Sequence, residues 1–307
     1  MNPIGQRLVL HSAVSIACVS PGEVSIRTPA GSFAVEDPRG ELLAVIEHYR
    51  QPQAGSPDTV SARRWTSFLI DEGILVSASD QPRDPFLQLV DFIRMRRERA
   101  GDYVASGARV QDGVRVEVRG DGAVAAAVRS AVTRLGCSTE ISSAAGFDDP
   151  VICCSDWDDR ELFLRENTDA VRSGRIFIPV AVEQQGGRVG PVAIPGESAC
   201  FGCFHARHLA NLRYREEDCT HARAWGARFR GGDLSPPAAS VAICAHLTAT
   251  IVAKLAAGLD DLALVGEVLF FDPLLLKFDV TPVLRLPRCI VCGGAARPPV
   301  AANGGAW

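Results

Sequence analysis

Two CxxC pairs, Cys200-Phe201-Gly202-Cys203 and Cys289-Ile290-Val291-Cys292, have the spacing with which a tight turn aims two thiolates at one tetrahedral metal ion. Each pair is flanked by turn chemistry. Pro195-Gly196 precedes the first, Pro287 stands just before the second, and Gly293-Gly294 follows it. Read together they predict one structural Zn²⁺ held by Cys200, Cys203, Cys289 and Cys292. Four thiolates leave no open coordination position, so such a metal would tether chain segments and not activate water. The competing readings are two redox dithiols or buried cysteines without a metal. A redox CxxC usually opens a helix after a strand and would rarely occur twice in matching surroundings.

The chain has ten cysteines, and the other six are Cys18, Cys137, Cys153, Cys154, Cys219 and Cys244. They follow no spacing pattern, sit mostly in apolar runs such as Val151-Ile152-Cys153-Cys154, and read as reduced core residues. Met1 to Arg7 lacks a basic stretch followed by an apolar core, and no long uncharged apolar run occurs, which predicts a cytoplasmic protein with no membrane partner. The 307 residues suggest about two domains. A formal charge of −4 argues against a general nucleic-acid binder, and Lys254 and Lys277 are the only lysines.

The segments that would position these groups fall into two kinds. From Arg7 to Phe33 apolar and polar residues alternate, broken at Ser20-Pro21-Gly22 and Thr28-Pro29-Ala30-Gly31, as short antiparallel strands do. Arg39 to Tyr49 places Leu42, Val45, Ile46 and Tyr49 at helical spacing, and Val60 to Asp71 reads as a second helix carrying Trp65, Phe68 and Leu69. With Gly73-Ile74-Leu75-Val76 these pieces make a small winged-helix-like unit over residues 1–80. A charged helical segment containing Phe86, Leu89, Val90, Phe92 and Ile93 then connects the halves over residues 81–109. From 110 to 307 strand-like and helix-like segments alternate, giving an α/β domain: strands at 114–118, 150–154, 175–183, 188–194, 267–271 and 278–286, helices at 123–135, 159–172 and 238–257. The stretch after the first CxxC reads as polar.

Over roughly residues 110 to 295 the order of these pieces resembles the ThiF/MoeB fold, the adenylating domain of ubiquitin-like-protein activation. The strand Val114 to Val118 runs into Gly120-Asp121-Gly122-Ala123-Val124-Ala125, a GxGxxA turn, and Val151 to Asp156 looks like that family's strand ending in a magnesium-binding aspartate. Arg160 and Asn167 fall in the helix behind it. Ser173 to Pro179 and Val192 to Gly196 lead into the first CxxC as they do there, and Pro287 to Gly293 looks like the closing zinc knuckle. The resemblance implies a Rossmann-like domain with a four-cysteine structural zinc site, ATP as a candidate cofactor bound at Gly120 and Gly122, and Asp156 as the catalytic candidate.

The nucleotide inventory is incomplete, however. An adenylating site needs backbone N–H groups at a helix N-terminus, an acidic residue near the ribose, a cation for the phosphates and an aspartate for magnesium. Asp121 stands between the glycines, the candidate strand Ser138 to Ser143 meets no acidic residue before Asp148, and no lysine precedes Lys254. Arg129 and Arg134 are poor substitutes on a helix, and Asp156 reads equally well as a strand-end or helix-capping residue. His205 and His208 lie at helical spacing after Cys203, but four thiolates already complete a zinc sphere. Cys219 near His221 suggests a nucleophile, which the acidic neighbours Glu216, Glu217 and Asp218 oppose.

The front half resembles the RiPP recognition element, a winged-helix-like module that captures leader peptides of ribosomally made natural products. Its fusion to a ThiF-like domain resembles the leader-binding partners of YcaO cyclodehydratases in azoline, azole and thiopeptide pathways. That resemblance implies a precursor leader peptide and a YcaO enzyme as partners, a homodimer, and chemistry carried by the YcaO protein. The alternative is a peptide-adenylating enzyme similar to the microcin C type. Strand addition of a leader needs an open sheet edge and an adjoining helix. The segment Glu23 to Phe33, with Ile26, and the helix Val60 to Asp71, with Arg63, Arg64 and Phe68, are the expected site.

Overall fold

The computed structural model describes residues 7–12, 14–28, 31–50, 59–78, 114–139, 149–183, 186–256 and 263–293. The chain divides into two compact units, Met1–Asp112 and Gly113–Trp307. The predicted connecting helix within 81–109 and most of the candidate strand Ser138 to Ser143 lie outside the described residues, as does Asp148.

In the first unit, β1 (Leu8–Leu10) pairs antiparallel with β5 (Leu75–Ser77). Strands β2 (Ser15–Ser20), β3 (Glu23–Thr28) and β4 (Gly31–Glu36) form an antiparallel sheet with β3 in the middle. Alternation along β3 sends Val24 and Ile26 into the core, where they meet Leu42, Val45 and Ile46 of α1 (Glu41–Arg50) and Leu69 of α2 (Val60–Asp71). The Thr59 hydroxyl caps α2 by accepting from the Ala62 N–H, satisfying an otherwise orphaned donor. Ile26 is therefore no edge residue. It is fully buried on the central strand, opposite Ile16 of β2 and Phe33 of β4, and the expectation of an open edge at Ile26 is corrected.

The second unit is built on a six-stranded sheet in the order β11-β10-β9-β8-β7-β6. β6 (Glu117–Arg119), β7 (Val151–Ser155) and β8 (Phe177–Glu183) run parallel. β9 (Gly186–Val189), β10 (Glu267–Asp272) and β11 (Lys277–Pro282) continue the sheet antiparallel. After β6, α3 (Ala123–Arg134) leads to Ser138, which bridges Arg115 in parallel, before the chain returns to β7 beside β6. The carboxyl ends of β6 and β7 thus flank a topological switch point, where open α/β sheets place their ligands. α4 (Arg160–Arg172) links β7 to β8, and every residue of β7 is buried, as expected of a parallel central strand.

Two helices follow the first CxxC where the sequence reads as polar: α5 (Phe201–Asn211) and α6 (Arg215–Arg230). α6 buries only Gly226 fully, while Cys219, Ala222, Trp225 and Phe229 are half-buried on the same side, a stripe set among charged residues in the sequence. α7 (Ala238–Ala256) packs on α3, β8 and β9. Among the described residues it is the one helix long and apolar enough to cross a membrane, and 56% of it is buried inside the protein, as befits a core helix.

Candidate functional site

Cys200 is the N-cap of α5 and Cys203 lies in its first turn, while Cys289 and Cys292 sit on the turn after β11. The four sulfurs lie within 4.8 Å of one another, and all four residues are buried. The Sγ separations are 4.0 Å for Cys200 and Cys203, 3.7 Å for Cys200 and Cys289, and 3.5 Å for Cys203 and Cys292. A tetrahedron with metal–sulfur bonds of about 2.3 Å has edges of about 3.8 Å, so the quartet fits one metal ion. The surroundings hold it in place. The Leu286 N–H points at Cys203 Sγ (3.3 Å), and Arg285 donates to the carbonyls of Gly196 and Cys292 (2.7 and 2.8 Å), tying one turn to the other. Asn167 Oδ1 accepts from the Phe201 N–H (3.1 Å) and fixes the start of α5.

The remaining cysteines make no second cluster among the described residues. Burial pushes the Cys153 and Cys244 thiols up to about 12 and raises Cys154 well above the ordinary thiol value, so all three stay protonated. His205 and His208 stack on Phe201 and Phe204 (centroids 6.2 and 5.9 Å), and burial lowers both pKa values, leaving neutral rings away from the metal-capable quartet. Cys219 and His221 lie two residues apart on α6, a spacing at which side chains do not face each other.

At the switch point the GxGxxA turn is closed from within. Gly120 and Gly122 have φ of 103° and 100°, and α3 starts at Ala123. Asp156, one residue past β7, places its carboxylate on that helix N-terminus: Oδ2 accepts from Ala123 N–H (2.9 Å) and Oδ1 from Val124 N–H (2.8 Å). A Cβ at Gly122 would sit 2.4 Å from Asp156 Oδ2, so the absence of a side chain there serves the protein's own carboxylate. The donors that such a turn offers an incoming phosphate are already occupied by an anion.

Other pieces expected near a nucleotide are likewise engaged within the chain. Arg129 Nη2 donates to the carbonyls of Val118 and Gly120 (3.1 and 2.8 Å). Arg160 bonds Asp158 and Asp218 (2.7 and 2.5 Å), pinning α6 to the start of α4. The sequence reading missed Arg188, the largest fully buried side chain among the described residues. Its guanidinium bonds Asp158, Glu183 and the Gly190 carbonyl (2.9, 3.1 and 3.0 Å) and lies 5.2–5.3 Å from the ring centroids of Phe163, Phe201 and Phe204. Burial raises the Glu183 pKa. At Asp158 the same burial effect is outweighed by Arg188 and Arg160, which hold its pKa below the usual carboxylate range. Only a tally of buried charge finds such a residue. In sequence Arg188 is one arginine among many.

In the first unit the three-stranded sheet ends in β2 on one side and β4 on the other, and β4 is the edge whose Phe33 meets Phe68 of α2. Residues of β4 pair with β3 in the register Ile26↔Phe33 and Val24↔Val35, and the Asp37 N–H donates to the Gly22 carbonyl (2.7 Å) just beyond. Antiparallel alternation then turns the odd residues of β4 toward β3, and leaves the N–H and C=O of Ser32 and Ala34 aimed outward. Phe33 meets Phe68 of α2 edge-on at 6.4 Å, and Phe68 in turn meets Trp65 at 5.8 Å. Arg64 is exposed one helical turn before Phe68, on the same side of α2, and Arg63 is exposed beside it.

No family model and no curated protein matches this chain in sequence. Solved structures do match in fold. The heterocyclase TruD aligns over 94% of this chain with a TM-score of 0.64 and 17% identity, but this chain spans only 43% of the heterocyclase. E. coli MccB aligns over 95% of this chain and 98% of its own length, with a TM-score of 0.55 and 15% identity. MccB solved with AMPCPP and the peptide MccA aligns over 93% of this chain and 99% of its own, at 14% identity and a TM-score of 0.55. The fold is accordingly that of the ThiF/MoeB-like proteins among these neighbours, a mixed α/β architecture with a cysteine quartet at Cys200, Cys203, Cys289 and Cys292.

Proposed function

We propose that this chain binds the leader of a ribosomally made precursor peptide on its first unit and presents the attached core to a YcaO cyclodehydratase, which forms azolines from Cys, Ser or Thr. The observation that carries the proposal is the β4 edge, with outward backbone groups at Ser32 and Ala34 and a flanking helix that offers Phe68 and Arg64. A leader would add as a further strand, bonding to these backbone groups, while Phe68 supplies apolar contact and Arg63 and Arg64 meet acidic side chains. Capture turns a bimolecular encounter into an effectively intramolecular one, at local concentrations up to the millimolar range. On this reading residues 1–80 form the recognition module and 81–109 the link. Residues 110–307 form a scaffold that docks the cyclodehydratase, supports a homodimer and is braced by a structural zinc at the cysteine quartet.

The second unit takes no catalytic part in this account, because Asp156 occupies the helix N-terminus that a triphosphate would need. One observation favours a second reading, a peptide-adenylating enzyme: the alignment with MccB runs over nearly the whole of both chains. Under that reading Gly120, Gly122 and Asp156 would have to part to admit ATP.

Fluorescence polarisation with labelled leader segments, synthesised from short open reading frames that flank the gene, tests the proposal. Ala34→Pro removes one outward donor and leaves the β3–β4 ladder intact, so it is expected to weaken binding at least tenfold, about 1.4 kcal/mol. Arg64→Glu is expected to do the same, with an effect that shrinks as salt rises. Unchanged affinity in both variants would remove β4 and α2 as the site.

A further inference from the structure

α6 lies over α4 and α5 without closing on them. Gly226 sits so near Trp157 that a Cβ there would come within 2.4–2.6 Å of the indole ring, Arg160 reaches Asp218 (2.5 Å), and Arg223 faces Glu161 (3.7 Å). Space remains between these contacts. A cavity of about 530 Å³, open to solvent, separates Arg215 and Ala222 of α6 from Trp157, from Leu164 of α4, and from His205 and Leu209 of α5. Its walls are mostly apolar, and its volume falls within the range of about 300–1,000 Å³ that small-molecule sites occupy.

The charges around this cavity do not cancel. Asp158 is held by Arg188 and Arg160, Asp218 by Arg160, and Glu161 by Arg223, while Asp159 caps α4 by accepting from the Leu162 N–H (3.1 Å). Arg215 and Arg230 are left over. Neither has a carboxylate within ion-pair reach among the described residues. Arg230 lies over the Trp157 ring, 5.1 Å from its centroid, whereas Arg215 stands close enough to His205 for its charge to act there.

We infer that the cavity beneath α6 binds a small aromatic carboxylate. The rings would fill the space between Trp157, Leu164, Leu209 and Ala222, where Trp157 offers an aromatic partner and burial removes apolar wall from water. The carboxylate would pair with Arg215, whose guanidinium matches it with two parallel N–H donors. An amine would meet the same arginine as a like charge, and a purely apolar molecule would leave it unused. The site lies wholly within the second unit and rests on no part of the leader-binding reading.

Titration calorimetry of the full chain with 1-naphthaleneacetate and its neutral amide, 1-naphthaleneacetamide, tests the assignment. The acid is expected to bind one-to-one with a Kd on the order of 100 µM, and the amide at least tenfold more weakly. Arg215→Glu should weaken the acid at least tenfold and so abolish the preference. Ala222→Trp fills the cavity from α6 and should remove binding of the acid, with a circular dichroism melt to show that the variant folds. Leu209→Trp fills it from α5 and serves where the first variant is unfolded. The inference is overturned by a wild type without saturable binding, by equal affinity for acid and amide, or by a folded tryptophan variant that binds the acid as the wild type does.

Discussion

Cys203→Ser is expected to strip most of the zinc from this protein and to lower its melting temperature by more than about 10 °C. The serine oxygen is a poor zinc ligand beside thiolates, and three remaining sulfurs leave the tetrahedron open. The loss reaches beyond the metal. The quartet joins the start of α5 to the turn after β11, closing a long stretch of chain, and the cysteines form one buried cluster with Phe163, Phe177 and Phe201. Structural zinc binds with about 10–16 kcal/mol in small finger peptides. A unit with its own sheet depends on the metal for only part of its stability, and a loss of about 3 kcal/mol or more corresponds to that shift in a domain of this size. Metal analysis by mass spectrometry together with a thermal melt checks both halves. Unchanged zinc content and unchanged melting would show that the quartet is merely four buried thiols.

Arg188→Met should be nearly as damaging, although Arg188 touches no proposed ligand. Methionine has similar volume, so the cost comes from the groups left behind: Asp158 keeps Arg160, but Glu183 and the Gly190 carbonyl lose the partner shown to them here. Breaking a buried ion pair from one side costs about 3–5 kcal/mol, and the partial exposure of Glu183 argues for the lower end, a drop of roughly 6–12 °C. The sign of the pH dependence follows from Glu183. A carboxyl whose folded pKa is raised contributes most below its unfolded pKa and loses that contribution as pH rises through the folded value. Without the guanidinium the ionised form is costlier still, so the deficit should be larger at pH 8 than at pH 5. A melt within about 2 °C of wild type at both pH values would refute this account of the network.

What the sequence disclosed was local. The CxxC spacing pointed to the cysteines that the structure gathers, because each turn places its own pair and the two turns needed only to meet. The alternation of Val24 and Ile26 marked a strand, but nothing local distinguishes a central strand from an edge, and the β2-β3-β4 order that buries Ile26 is a long-range outcome. Asp156 was visible as a strand-end carboxylate with a capping role open to it. The helix it caps begins 33 residues earlier in the chain, a relation that periodicity does not carry. α6 escaped notice because its half-buried stripe of Cys219, Ala222, Trp225 and Phe229 is set among charged residues, and Arg188 because a buried arginine looks in sequence like an exposed one.

The most direct test of the central claim, that this chain binds and presents a peptide and leaves ATP chemistry to its partner, is titration calorimetry of the full chain with ATP and Mg²⁺. With the Asp156 carboxylate seated on Ala123 and Val124, no saturable binding is expected into the millimolar range. Saturable binding at micromolar concentrations would contradict the claim and put the adenylating enzyme in its place.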